Sequence, residues 1–151
     1  TGLTTTAIVA LSDNKVVYSY DFGKASKFRK VVHSPLSLRY KLYGIEFKKA
    51  ISEILNLADV QDISIAIEIP MGNFMGNSVR VAELFGYYLS ILDSLGIQPE
   101  QINIMSPTYI KKKFTGIGNS GKIDIINECS DRGFNAPNEH QADAYAMASL
   151  L

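Results

Sequence analysis

Three side chains have types and spacing that could hold a metal ion or move a proton. Glu68 lies inside the apolar run 63–69, where an ionised carboxylate is costly unless it is paired or coordinates a metal. His140 and Asp143 are three residues apart, which places them on one face near the start of a predicted helix. An imidazole and a carboxylate at this spacing can act as two metal ligands, or as a base and its orienting partner.

Each of these residues also has an ordinary structural interpretation. Glu68 could form a salt bridge with a nearby lysine, and His140 and Asp143 could simply complement the dipole of their helix. The position of Glu68 at the C-terminal end of its strand favours a site, because open α/β sheets place their ligands there. From these residues alone, both interpretations stay open.

A glycine-rich segment, 116–122 (GIGNSGK), follows the lysine run 111–113. Its spacing matches a dinucleotide-binding fingerprint and a P-loop, but both motifs require an apolar strand directly before the loop. Lysines precede this loop, and Ile123 stands where a P-loop needs Ser or Thr. We therefore reject both motifs and expect a loop whose backbone N–H groups and Lys122 could contact a phosphate.

The elements that must position these residues follow from the hydrophobic pattern. It predicts strands at 4–11, 16–22, 28–33, 63–69 and 101–105, and helices at 38–57, 77–95, 122–132 and 139–151. A further brief helix opens at Ser106 and Pro107 and carries the lysines 111–113, since Pro is well tolerated at the first helical position. The first two strands form a hairpin. Three antiparallel strands followed by strands that alternate with helices imply a mixed sheet flanked by helices.

Composition and charge narrow the possible classes of protein. With 151 residues, 46% of them hydrophobic and 20% charged, we expect one soluble domain, with no membrane span and no secretory leader. The single cysteine, Cys129, excludes an internal disulfide framework and fits a reducing compartment. The net charge is zero, yet residues 24–49 hold eight Lys or Arg against one Glu, and residues 111–122 hold four lysines and no acid. These lysines either attract phosphate or are simply solvated.

Taken together, these stretches resemble the RuvC-type Holliday-junction resolvases of the ribonuclease H-like superfamily, in order along nearly the whole chain. Each of five segments is similar to a part of that family. They are the segment after its first catalytic Asp (TGLTTT, 1–6), its second acidic strand (IAIEIP, 65–70), the helix behind that strand (VAELFG, 81–86), its lysine-bearing loop (YIKKKFTGIGNSGK, 109–122) and its final acidic helix (HQADAYAMA, 140–148).

The resemblance implies an α/β fold with a ribonuclease H-like mixed five-stranded sheet, its first three strands antiparallel, in a single domain over 1–151. It also implies an endonuclease that cuts branched DNA with two Mg²⁺ ions, or Mn²⁺, about 4 Å apart. Glu68, His140 and Asp143 would be the metal ligands. The family's first Asp would immediately precede Thr1, and we expect the natural protein to carry it there.

The resemblance further implies how DNA is bound. Lys111 and Lys122 fall on the family's DNA-contacting lysines, with Lys122 nearest the scissile phosphate. We also assign DNA contacts to Lys112, Lys113 and the loop residues Met71, Asn73 and Phe74, although apolar loop residues more often pack in a core or a dimer contact. Two symmetric cuts imply a C2 homodimer, formed through the helix 78–95. We expect a cytoplasmic, nucleoid-associated protein of bacterial or phage origin.

Two other classes of protein remain as alternatives. A non-catalytic junction-binding relative would keep the fold without the cutting activity. The opening TGLTTT is also similar to the phosphate-binding turn of actin-like phosphotransferases, but these need a second lobe, for which 151 residues leave no room. Titrating Mg²⁺ against a synthetic four-way junction separates the classes, because a binder retains the junction uncut and an ATPase ignores it.

Overall fold

A computed structural model describes residues 5–23, 36–69 and 77–151. Two sequence predictions lie outside the described residues: the third strand, at 28–33, and the loop that contains Met71, Asn73 and Phe74. The chain divides into two compact units. Of the described residues, the first unit comprises 5–6, 22–23, 36–63 and 77–101, and the second comprises 7–21, 64–69 and 102–151.

The chain opens with the predicted hairpin. Strand β1 (Thr6–Ser12) pairs with strand β2 (Lys15–Phe22). The two residues between them, Asp13 and Asn14, both have positive φ angles, 49° and 60°. A two-residue turn of this kind matches the right-handed twist of the flanking strands, and Asn and Asp adopt it at little cost.

The first unit is built around two helices, α1 (Leu36–Leu55) and α2 (Asn77–Ser94). The ring of Phe47 on α1 stacks on Tyr88 of α2 with centroids 4.0 Å apart, and the Tyr88 hydroxyl lies 2.9 Å from Thr6 Oγ1. The helices approach closely at Gly44, where an added Cβ would overlap the Tyr87 ring. The predicted helices at 38–57 and 77–95 are thereby confirmed, with small shifts of their ends.

The second unit holds the remaining elements. Strand β3 (Ile65–Glu68) pairs in parallel with β4 (Ile102–Met105), and the connection between them contains α2, as a parallel pairing requires a long crossover. Three helices follow: α3 (Pro107–Thr115), α4 (Lys122–Asp131) and α5 (Glu139–Ala148). These confirm the predicted C-terminal helices. Buried side chains of these helices and of β4 form one core: Met105, Ile110, Phe114, Ile125, Cys129, Ala142, Tyr145 and Ala146.

The prediction of one five-stranded sheet is not confirmed. The described strands form two separate two-stranded sheets, β1–β2 and β3–β4. The strands β3 and β4 have only four residues each, and within the described ranges neither pairs with β1. Side chains of both sheets, Val9 on β1 and Ala66 on β3 among them, still pack on the core of the second unit. Among the described strands, the two sheets therefore share a core of packed side chains and are not joined by backbone pairing.

None of the helices in the described ranges combines the length and the apolar character needed for a membrane span.

Candidate functional site

A polar network ties the start of α5 to β2. Asn138 caps the helix, and its Oδ1 accepts hydrogen bonds from the backbone N–H groups of His140 and Gln141, both at 3.0 Å. Asp21 accepts from Asn138 Nδ2 at 3.4 Å and from Gln141 Nε2 at 3.0 Å, while Ser19 donates to Gln141 Oε1. Gln141 is only 6% exposed, so its polar atoms depend on this network. The network thereby fixes the helical turn that carries His140.

Further along, α5 packs closely on α4. The Sγ of Cys129 lies 3.6 Å from the carbonyl oxygen of Ala142, and both residues are buried. Burial raises the pKa of the Cys129 thiol to about 11, and the nearby Asp143 carboxylate adds to the increase. Cys129 therefore stays a protonated thiol at neutral pH and contributes packing rather than chemistry. The small alanines of α5 allow this close approach.

Glu68 is the last residue of β3, in register with Met105 of β4. Its strand is partly buried and Glu68 itself is exposed, whereas the apolar run in the sequence suggested a carboxylate inside a buried strand. Loss of water around the carboxylate still raises its pKa, the Asp143 carboxylate raises it further, and Lys111 opposes both. Glu68 forms no ion pair with a lysine among the described residues. The ordinary salt-bridge interpretation of Glu68 is thus not supported there.

Asp143 is the second carboxylate of this group and lies one turn into α5. Partial burial raises its pKa, and Glu139 raises it further, while His140, Lys111 and Lys122 lower it. The charge of Asp143 thus raises the pKa of Glu68, and the charge of Lys111 lowers the pKa of both carboxyls. The structure brings together residues that lie 75 positions apart in the printed sequence.

Glu139 is a member of the site that sequence reasoning missed. One of its carboxylate oxygens lies 2.6 Å from Lys122 Nζ, and the other lies 3.8 Å from His140 Nε2. The hydrogen bond and charge of Glu139 raise the pKa of Lys122. The only signal in the sequence was an acidic residue in the first turn of a helix, which is a common feature because it complements the helix dipole.

The lysine-bearing segment consists of α3 and the loop that follows it. Ser106 caps α3, accepting from Tyr109 N at 3.3 Å, and Pro107 occupies the first turn, as predicted. Lys112 and Lys113 are exposed and Lys111 is half-buried. These three lysines therefore share one short helix, and the charge of Lys111 lowers the pKa of both Glu68 and Asp143.

The loop 116–121 is an ordered turn rather than an open chain. Thr115 Oγ1 donates to Lys111 O at 2.9 Å and accepts from Ile117 N at 3.2 Å. Gly121 N donates to Asp124 Oδ2 at 2.7 Å, which closes the start of α4. Ser120 is 3% exposed, and its Oγ has no hydrogen-bond partner among the described residues. These hydrogen bonds fix the backbone of the loop that precedes Lys122.

The predicted metal ligands do not form a preassembled metal site in the part of the chain that the structure describes. Within residues 5–23, 36–69 and 77–151, no group of three or more His, Cys, Asp or Glu side chains is arranged to hold a metal ion. The donor chemistry nevertheless fits a divalent cation, because two carboxylates supply the hard oxygen ligands that Mg²⁺ and Mn²⁺ prefer. A cation between them would also relieve the repulsion that raises the pKa of Glu68.

Comparison with solved structures identifies the fold as RuvC-type. The first, described as "Thermus thermophilus RuvC structure", shares 16% identity and superposes with a TM-score of 0.63, covering 94% of this chain and 81% of its own. The second, described as "T. thermophilus RuvC in complex with Holliday junction substrate", shares 15% identity with a TM-score of 0.67, covering 97% and 91%. No protein-family model matches the chain, and neither does any curated protein sequence. The likeness therefore concerns the fold.

Proposed function

We propose that this protein is a divalent-metal-dependent endonuclease that resolves four-way DNA junctions or related branched DNA. The observation that supports the proposal most is the carboxylate of Asp143, whose charge raises the pKa of Glu68 while Lys111 lowers the pKa of both, in a RuvC-type fold. One solved structure with this fold is described as a complex with a Holliday junction substrate, which supports branched DNA as the substrate class.

The proposed metal ligands are Glu68, Asp143 and His140. These residues would hold a divalent cation, which would supply Lewis-acid activation of water and charge stabilisation of the leaving oxygen. Two elements of the protein position the proposed ligands. The Asn138 cap holds the helical turn that carries His140, and Glu68 lies at the end of β3. Both carboxylates must be ionised to bind the cation, so their raised pKa values predict that metal binding weakens as the pH falls.

The proposed DNA contacts are the lysines of α3 and Lys122. Lys112 and Lys113 are exposed and can reach phosphates, while Lys111 and Lys122 lie where their charges act on Asp143. Neutralising a phosphate releases condensed counterions, so junction affinity should fall steeply with salt. The loop residues Met71, Asn73 and Phe74 remain a further prediction, drawn from the family resemblance.

Two symmetric cuts in one junction require two active sites, which is why we include a C2 homodimer in the proposal. The exposed apolar residues Val79, Val81 and Tyr87 on α2 support this helix as the dimer contact, because large apolar side chains on a surface favour association.

The test is a pair of isosteric substitutions, Glu68→Gln and Asp143→Asn. Each should abolish Mg²⁺-dependent cutting of a synthetic four-way junction, because each removes a metal-binding charge, while leaving junction binding in EDTA nearly unchanged. Glu128→Gln, a charge change on α4 outside the site, is the matched control. Cutting at the wild-type rate by either variant would end the nuclease proposal. A wild type that binds the junction and never cuts it would instead be the non-catalytic relative.

A further inference from the structure

Glu139 joins the proposed DNA-contacting lysine to the proposed metal ligand. Its carboxylate accepts from Lys122 Nζ at 2.6 Å through Oε2, and its Oε1 lies 3.8 Å from His140 Nε2. Lys122 is the first residue of α4 and Glu139 is the first residue of α5. The backbone of each residue is therefore fixed by the helix that begins there. A carboxylate oxygen at this distance from an ammonium group makes the same kind of charge-assisted hydrogen bond as a phosphate oxygen.

The Lys122–Glu139 pair is easily displaced. The Lys122 side chain is 71% exposed and that of Glu139 is 36% exposed, and exposed ion pairs contribute little because water and salt screen them. Among the described residues, Glu139 is the group that forms an ion pair with Lys122. A DNA phosphate that arrives at this lysine meets the negative charge of the carboxylate, so the two anions compete for Lys122.

We propose that Glu139 is a positioning residue that occupies Lys122 in the free protein and yields it to a DNA phosphate on binding. This inference rests on the proposed function and adds a requirement to it: the backbone of the substrate must come close enough to compete with a carboxylate. Glu139 thereby lowers the affinity for DNA that contacts Lys122, because the ion pair must be broken when the phosphate binds. It also keeps Lys122 extended toward the helix that carries His140 and Asp143.

A second exposed ion pair in the same unit shows a different arrangement and supplies a control. Arg132 Nε lies 2.7 Å from Glu128 Oε1. Arg132 also donates to the carbonyl oxygen of Phe114 at 3.1 Å and lies 4.4 Å from the centre of the Phe114 ring. Arg132 is therefore part of the packing between α3 and α4, and Glu128 has no mobile DNA-contacting partner to restrain. Glu128→Gln removes the same charge as Glu139→Gln without releasing a lysine.

The experiment is a double-mutant cycle with a labelled synthetic four-way junction in EDTA, where metal binding does not contribute. Wild type, Glu139→Gln, Lys122→Met and the double variant are titrated at several KCl concentrations, alongside Glu128→Gln. Glu139→Gln should tighten binding by about 2- to 5-fold. The slope of log K against log salt should stay near that of wild type, because Lys122 neutralises the same phosphate in both complexes. The tightening should vanish in the Lys122→Met background, and Glu128→Gln should match wild type.

The possible outcomes separate this inference from the proposed function. Unchanged or weaker binding by Glu139→Gln overturns the inference, and so does tighter binding that persists without Lys122, since that is a general charge effect. If wild type binds and cuts the junction while Glu139→Gln behaves as wild type, only the inference fails. If wild type does not bind the junction, the proposed function fails as well. Glu139→Ala repeats the measurement should the Gln variant not fold.

Discussion

Removing one carboxylate from the candidate site should stabilise the metal-free protein. In the folded state the pKa values of both Glu68 and Asp143 are raised, mainly by burial. A carboxyl group with a raised pKa binds its proton more tightly in the folded state than in the unfolded state. The free energy of unfolding therefore falls as the pH rises from the ordinary carboxyl pKa, near 4, to the raised pKa of the folded state. At neutral pH the full loss of stability is present.

Asp143→Asn removes the burial penalty on that carboxylate together with its repulsion of Glu68. Because both side chains are exposed, solvent screening limits the gain to about 0.5–1 kcal/mol. In a chain of this size, that gain corresponds to an increase in Tm of about 1–4 °C. The assay is thermal unfolding followed by circular dichroism at pH 7 in EDTA. Asp59→Asn is the control, since Asp59 precedes a short helical turn without a side-chain capping bond.

The pH and metal dependence of the same measurement identify the cause. The difference in Tm between Asp143→Asn and wild type should shrink toward zero as the pH falls below about 4, where the wild-type carboxyls are protonated. Adding Mg²⁺ at about ten times its Kd should stabilise wild type by about 1.4 kcal/mol and the variant by less. A variant that melts at or below the wild-type Tm at pH 7 in EDTA would refute the reasoning, as would a difference that grows on acidification.

Two further predictions concern the lysines and the helix cap. Simultaneous replacement of Lys111, Lys112 and Lys113 by Gln should weaken junction binding, as measured by fluorescence anisotropy. The slope of log K against log salt should become shallower by about 0.9 for each phosphate that is no longer neutralised. An unchanged slope would show that these lysines do not contact DNA. Asn138→Ala should lower the free energy of unfolding, measured by urea titration, by about 0.5–2 kcal/mol. Asn138→Ser should lose much less stability, because Ser also caps a helix. Equal losses in both variants would show that capping is not the cause.

Local features of the fold could be predicted from the sequence because local chemistry determines them. The turn at Asp13 and Asn14 and the helix start at Ser106 and Pro107 each depend on a few adjacent residues. The pairing of strands could not be predicted in the same way, because alternation along a strand indicates which face is buried and not which strand lies beside it. The five-stranded sheet was therefore inferred from the resemblance, and the described strands form two smaller sheets.

The candidate site shows the same division. Glu68, His140 and Asp143 could be singled out because their side-chain types are unusual for their surroundings in the sequence. Asp21 and Glu139 could not, because their roles arise from hydrogen bonds and ion pairs to residues distant in the chain: Asp21 to Gln141, 120 positions away, and Glu139 to Lys122. No local pattern distinguishes either residue from an ordinary surface acid. Side-chain partners of this kind emerge only once the helices are packed.

Anomalous scattering from Mn²⁺ tests the central claim most directly. Crystals of the protein soaked in Mn²⁺ should show an anomalous peak within coordination distance of one carboxylate oxygen from Glu68 and one from Asp143. Because the two charges are both required, the peak should disappear in Asp143→Asn crystals treated in the same way. A wild-type crystal in which Mn²⁺ avoids these carboxylates, or binds only one of them, would contradict the account.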